Sequence, residues 1–191
     1  MRPPASETRT RLLAAAEQIL VQRGITGISV RKVGETAGLN PTLVTYHFGS
    51  LGALLEELRD RNLGPILAGW EGLDQRDGLD AVLRGWLAPL LMPAAFTESG
   101  RALVVIDEIA AHGEGDLGAG VLAAMLSFSR GLRALLLTYC PALDEAEMRA
   151  RLRFISSAAL GPPPRGRGMT GVGVADELEY LVRFAHAALR A

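Results

Sequence analysis

The chain predicts an all-α fold, three compact N-terminal helices followed by a larger helical body, and two observations carry that expectation. Apolar residues recur at helical spacing along most of the 191 residues, and few stretches alternate as a half-buried strand would. Breakers and cap-forming residues stand at the ends of the periodic stretches, as Gly24, Ser29, Gly38, Asn40, Gly113 and Asp144 do.

The first helix is expected from Thr8 to Arg23, where Leu12, Leu13, Ala16, Ile19 and Leu20 keep helix spacing and Gly24 stops it. Ser29 can cap a second, Val30 to Ala37, with Val30, Val33 and Ala37 facing inward. Gly38 stands where that helix must stop with positive φ. Asn40 is a good N-cap for a third, and Pro41 fits its first position, where the missing N–H costs nothing. Val44 and Phe48, four apart, form the inward stripe, leaving Thr42, Leu43, Thr45, Tyr46 and His47 outside. A helix so short, rich in exposed donors and apolar tips behind a glycine turn, has the form of the recognition helix in a helix-turn-helix. The first 50 residues therefore read as a DNA-binding head, and residues 51–191 as a separate helical domain.

In that second domain a helix should run from about Leu51 towards Trp70, bent at Gly64-Pro65. The next starts at Asp77 or Asp80, with Leu79, Val82, Leu83, Trp86, Leu87, Leu90 and Leu91 mostly on one face and its end perturbed by Pro89. Ser99 or Gly100 opens a helix from Arg101 to His112, stopped by Gly113; another runs from about Gly118 to Tyr139. Asp144 caps one reaching about Leu160, with Glu147 completing an approximate capping box. The last spans about Ala175 to Arg190. Residues 161–171 are too dense in proline and glycine for a helix and read as an exposed, mobile loop. Its Arg165 and Arg167 read as solvated, or as contacts to DNA or an acidic partner.

Charge is split along the chain. Residues 1–48 hold six basic side chains (Arg2, Arg9, Arg11, Arg23, Arg31, Lys32) against three acids (Glu7, Glu17, Glu35); the remainder holds fourteen against eighteen. A basic head on an acidic body suits a protein that meets phosphate with one end. The single cysteine, Cys140, excludes an intrachain disulfide framework and a cysteine-rich zinc site. No uninterrupted apolar run reaches the ~18 residues of a membrane span, and the N-terminus lacks the apolar core of a signal peptide. A reduced, cytoplasmic, bacterial protein is expected, without cofactor or metal.

The residues Leu12, Ala16, Gly24, Ser29, Val30, Arg31, Val33, Ala37, Gly38, Leu39 and Val44, then Tyr46-His47-Phe48-Gly49-Ser50 and Ala53-Leu54-Leu55, carry a resemblance to the TetR family of bacterial transcriptional regulators. It covers roughly residues 8–56. The resemblance implies a homodimeric repressor that binds near-palindromic double-stranded DNA and is released by a small effector. It assigns DNA contact to Ser29, Arg31, Lys32, Pro41, Thr42, Leu43, Thr45, Tyr46 and His47. Among these, Ser29 is either N-cap or phosphate ligand, and Arg31 contacts guanine or phosphate, a guanidinium fork matching guanine O6 and N7. Tyr46 and His47 match positions that hold backbone phosphate in relatives.

Three departures accompany the match. Leu51 stands where the family usually has a phosphate-gripping lysine, Gly52 where it has an acid, and Thr45 where it has an aromatic residue. Losing one phosphate cation should flatten the salt dependence of DNA binding by nearly one unit of slope, unless Arg9, Arg11 or the basic loop compensates.

The resemblance also implies that the last two helices pair with their twofold mates, and both are doubly apolar. Met148, Leu152, Ile155, Leu178, Leu181, Val182 and Ala185 are the expected interface, with Phe154, Ala158, Tyr180, Phe184 and Ala188 on further stripes. An effector pocket is expected from Trp70, Trp86, Met92, Phe96, Ile106, His112, Met125, Phe128 and Tyr139. Glu108 and His112, four apart, could meet a cation or metal, pair with Arg101 or Arg130, or face water. A second function class is a redox-sensing regulator acting through Cys140. Enzyme chemistry is not expected, because His47, His112 and His186 come without a nucleophile motif, metal-ligand cluster or phosphate loop.

Overall fold

A computed structural model describes residues 5–94, 101–160 and 174–190. Among the described residues the fold is all-α, without a strand. The helices are α1 (Ala5–Arg23), α2 (Val30–Ala37), α3 (Thr42–Phe48), α4 (Leu51–Gly69), α5 (Leu79–Ala94), α6 (Arg101–His112), α7 (Asp116–Tyr139), α8 (Glu145–Leu160) and α9 (Val174–Arg190). The helix-turn-helix head and the helical body expected from the sequence are both present. The loop at residues 161–171, with Arg165 and Arg167, lies outside the described residues, as do Phe96, Ser99 and Gly100.

By packing, the chain forms two compact units, one of Met1–Gly64 with Val104–Leu122 and one of Pro65–Leu103 with Ala123–Ala191. In the first, Leu12, Ala16, Leu20, Val33, Val44, Leu54 and Leu58 are buried almost completely, so α1, α2, α3 and α4 each contribute an apolar stripe. Val105, Ile109 and Val121 are buried in the same unit. In the second, Val82, Leu83, Leu87, Leu136, Met148, Ile155, Ala185 and Leu189 form the interior.

Pro89, expected to perturb the end of α5, lies inside the helix, which runs on to Ala94. Its ring lies where Gly69 leaves room; a Cβ on Gly69 would stand 2.6 Å from Pro89 Cγ. Pro65 likewise lies inside α4. The capping of α8 follows the sequence: the Asp144 carboxylate accepts the Glu147 N–H at 2.7 Å. On α9, Glu179 takes both Arg84 Nε–H and Nη2–H of α5 at 2.8 Å each, and His186 meets Asp80. The Arg84 guanidinium holds the Glu179 carboxyl below the usual carboxylate range.

Helix α7 is, by length and composition, long and apolar enough to cross a membrane, with mean hydropathy 1.4 over its most apolar window. Ser127, Ser129, Arg130 and Gly131 interrupt it, so it holds no unbroken apolar run of that length. Leu132 and Leu136 of this helix are buried inside the second unit.

Candidate nucleic-acid interface and ligand cavity

Helix α2 is capped at both ends as its sequence dictates. The Ser29 hydroxyl accepts the Lys32 N–H at 3.2 Å, so of its two expected roles capping is the one in place. Gly38 ends the helix at φ +64°, a conformation that costs other residues a steric clash. Asn40 then starts α3: its side-chain oxygen accepts the Thr42 N–H at 3.0 Å and its carbonyl accepts the Leu43 N–H at 3.0 Å. Pro41 adopts helical φ and ψ, as the first-position reading requires. The Thr42 hydroxyl donates to Asn40 at 2.8 Å, so in this state only its lone pairs are free for DNA.

Helices α2 and α3 cross at a position the sequence pattern leaves unmarked. Gly34 is buried in mid-helix, and a Cβ there would lie 2.6 Å from Pro41 Cα. A signal was available, because an isolated glycine within a helix costs about 1 kcal/mol relative to alanine and so wants a packing reason.

Two arginines that could compensate at the DNA surface make bonds within the head. Arg9 forms an ion pair with Glu57, donates from Nη1 to the His47 carbonyl at 2.6 Å, and lies 4.3 Å from the centre of the Phe48 ring. It thereby ties α1 to the end of α3 and to α4. Arg11 donates to the Ala37 carbonyl at 2.7 Å, satisfying a last-turn acceptor of α2. Arg9 is neutralised by its ion pair, whereas Arg11 remains exposed with its charge unpaired among the described residues. Arg9→Ala is expected to cost about 1–2 kcal/mol through the loss of its charged hydrogen bonds, read as faster hydrogen exchange of the α3 amides.

The outer face of α3 is a shallow depression lined by Thr42, Leu43, Thr45 and Tyr46. Tyr46 is 75% exposed, far beyond what a packing role needs, and its ring meets that of His47 edge-on at 5.0 Å. His47 is half-buried and Pro41 likewise, while Val44 beneath them is wholly buried. On α2, Arg31 and Lys32 are exposed. Arg31 Nε–H donates to Glu35 at 2.7 Å, which pushes its already high pKa further up and leaves the Nη fork unengaged by that bond. An exposed pair of this kind contributes little and is cheaply exchanged. At the start of α4, Ser50 caps the helix by accepting the Ala53 N–H at 3.0 Å, and Leu51 is half-buried.

In the second unit, Trp70, Trp86, Met125 and Phe128 come together on one cavity of about 270 Å³. Trp70 and Phe128 stack with ring centres 3.5 Å apart and planes at 9°. Three residues expected there are placed elsewhere. His112 is exposed on α6, 3.8 Å from Glu108, and Ile106 is buried on the same helix; both belong to the first unit. Tyr139 donates to the Arg76 carbonyl at 3.3 Å and does not line this cavity. The expectation failed because membership of one helix face cannot say which unit that face joins. The Met92 side chain and Phe96 lie outside the described residues.

The Arg101 side chain lies outside the described residues, and among those described no ion pair joins Glu108 to Arg130. The Glu108 carboxylate accepts the Ile25 N–H at 2.9 Å, just after the end of α1. Among the described residues no group of His, Cys, Asp and Glu could hold a metal ion. Cys140 is buried, and burial pushes its thiol up despite the opposing pull of Arg190 and Arg151. That is the reverse of what a reactive thiolate needs.

The expected interface stripe also needs correction. Met148, Leu152, Ile155, Leu181, Val182 and Ala185 are buried within the chain itself, and Leu178 is half-buried. They pack α8 and α9 onto α5 and onto each other, so none of the six is a free surface. The other stripe is the exposed one: Phe154 is 59%, Tyr180 55% and Phe184 51% accessible. The Arg153 and Arg183 guanidinium groups lie over Phe154 and Tyr180 at 5.2 and 5.0 Å.

A three-helix head that turns the polar and aromatic face of a short capped helix outward, joined to an all-helical body, defines a helix-turn-helix regulator. The model of bacterial regulatory proteins of the tetR family matches residues 12–58. Solved structures share the fold over nearly the whole chain. The TetR family regulator PfmR from Thermus thermophilus is 20% identical with TM-score 0.69, covering 96% of each chain. A TetR-family member from Streptomyces coelicolor is 17% identical with TM-score 0.71, over 94% of this chain and 91% of that one. A TetR-like regulator from a Rhodococcus species is 16% identical with TM-score 0.72, covering 98% of both. No curated protein matches. The match over residues 12–58 identifies the head as a TetR-family DNA-binding segment, and the rest of the chain shares the all-α fold of these structures.

Proposed function

We propose that this regulator is a cytoplasmic homodimeric repressor whose two heads, residues 1–50, grip a near-palindromic operator, and whose residues 51–191 bind a small effector that releases it. The observation that carries the DNA reading is the outward face of α3, where Tyr46 is three-quarters exposed beside Thr42, Leu43 and Thr45. Pro41, Thr42, Leu43 and Thr45 meet base edges, Leu43 by apolar contact such as with a thymine methyl. Tyr46, His47 and Lys32 hold phosphate, and the Arg31 fork reads guanine after Glu35 gives way. Ser29 acts on DNA indirectly, by fixing the start of α2.

Dimerisation uses the exposed stripe Phe154, Tyr180 and Phe184, because two heads on one DNA face read two half-sites. Effector and DNA are linked reciprocally: a ligand that weakens operator binding by some factor is itself bound more weakly by that factor in the presence of operator.

Footprinting on the DNA upstream of the protein's own gene tests this reading; absence of any protected near-palindrome would refute autoregulation. Arg31→Ala and Tyr46→Ala should each lower operator affinity at least tenfold with dimerisation unchanged. The salt series separates the roles. Removing a cationic phosphate ligand flattens the slope by about 0.9, whereas removing a base-reading group leaves the slope and relaxes preference at one base pair.

A further inference from the structure

The cavity in the second unit has a charge pattern that selects among ligands. Helix α7 offers it Met125, Phe128, Ser129, Leu132 and Arg133, and α8 offers Arg149, Leu152, Arg153, Ser156 and Leu160, each set following helix spacing along one face. Among the described residues no carboxylate lines it, whereas three arginines do. Arg153 lies against Phe154, but no ion pair or hydrogen bond engages Arg133 or Arg149 among the described residues. Arg133 is half-buried and Arg149 exposed, which puts one cation within the wall and one at the rim.

The remaining polar capacity is small. The buried Trp70 indole N–H is already spent on the Trp86 carbonyl at 2.9 Å. What is left to meet a polar ligand group is two serine hydroxyls and the arginines. The apolar part of a ligand is met by the flat Trp70–Phe128 stack, Trp86, Leu90, Leu132 and Leu160. A volume of about 270 Å³ is at the lower end for ligand sites, room for on the order of nine waters at liquid density.

We propose that this cavity binds a small amphipathic carboxylate, its apolar body on the Trp70–Phe128 wall and its carboxylate between Arg133 and Arg149. The proposal deepens the effector reading above and rests on it only for the consequence to DNA, not for binding itself. A guanidinium matches a carboxylate with two parallel hydrogen bonds, and these are stronger where apolar walls exclude water. A cationic ligand of the same size would face two unpaired positive charges and nothing to balance its own.

Both tryptophans of the chain line the cavity, so tryptophan fluorescence reports occupancy without a label. The probes are 3-phenylpropanoate, its neutral amide and 3-phenylpropylamine, titrated into the full chain at pH 7.5. The carboxylate is expected to bind at least tenfold more tightly than the amide, and the amine most weakly. In Arg133→Gln/Arg149→Gln the carboxylate should fall to the level of the amide, while amide binding persists and certifies the fold. Equal binding of carboxylate and amide to the parent protein, tighter binding of the amine, or no response to any probe at millimolar concentration overturns the proposal, whatever the variant does. Operator affinity is measured alongside: a carboxylate that occupies the cavity without loosening DNA refutes the effector reading and leaves the ligand class standing.

Discussion

Gly34→Ala should destabilise the head and displace its recognition helix, although alanine is the better helix former. In an open helix the exchange stabilises by about 1 kcal/mol. At Gly34 the new methyl would lie 2.6 Å from Pro41 Cα, 2.8 Å from its N and 2.9 Å from its Cγ. Two of those atoms are backbone and the third belongs to a closed ring, so no side-chain rotation relieves the contact. Overpacking of this kind costs about 1–3 kcal/mol, enough to outweigh the gain in propensity. The chain can respond only by moving Pro41, and Pro41 opens α3. A net loss of up to about 2 kcal/mol is expected, together with at least tenfold weaker operator binding, since a shift of a few tenths of an ångström misaligns every contact on α3. Gly131→Ala is the control: it lies in α7 with nothing within 4 Å of the added carbon, and it should stabilise by about 0.5–1 kcal/mol. Hydrogen exchange of α2 and α3 amides reads the difference. If Gly34→Ala protects those amides as well as the parent does, the crossing is not set by this contact.

The Gly34 crossing also marks where sequence reasoning stops. Helix limits were legible because local chemistry sets them: Ser29, Gly38, Asn40 and Asp144 act on backbone groups two to four residues away, and each does so in the folded chain. The inward positions Val33 and Val44 were legible for the same reason, since a seven- or eight-residue helix has room for only one apolar stripe. What lay beyond reach was the choice of long-range partner. Nothing local tells that Arg9 spans 48 residues to Glu57, or that Glu108 spans 83 to the Ile25 amide. An arginine in a basic head reads as a phosphate ligand until its partner is seen. The same limit explains the cavity. Four of its aromatic and sulfur-bearing walls follow from the sequence, but its arginines do not, because a cation on a helix face looks solvated unless a neighbouring helix makes that face an opening.

The double substitution Phe154→Glu/Phe184→Glu should convert the protein to a monomer without disturbing its core. In α8 and α9 two apolar stripes compete, and periodicity cannot rank them. The fold ranks them through α5, to which α9 is fastened by Glu179–Arg84 and His186–Asp80. Packing on α5 turns Val182, Ala185 and Leu189 inward and leaves Tyr180 and Phe184 facing out, with the two exposed pairs marking the same register. Exposed aromatics aligned on two adjacent helices are what an interface enriches, and twofold symmetry presents each side chain twice. Fully burying a phenylalanine contributes about 1.5–3 kcal/mol, so losing four of them and desolvating four carboxylates raises the dimer Kd by more than about a thousandfold. Sedimentation velocity at micromolar concentration should then show monomers with unchanged helicity, and operator binding should fall at least a hundredfold because each head holds its half-site alone. Ile155→Ala, at a wholly buried position on the opposite stripe, should behave in the reverse way, losing about 2–5 kcal/mol of stability while the folded protein stays dimeric. A Phe154→Glu/Phe184→Glu protein that sediments as a dimer would place the interface elsewhere.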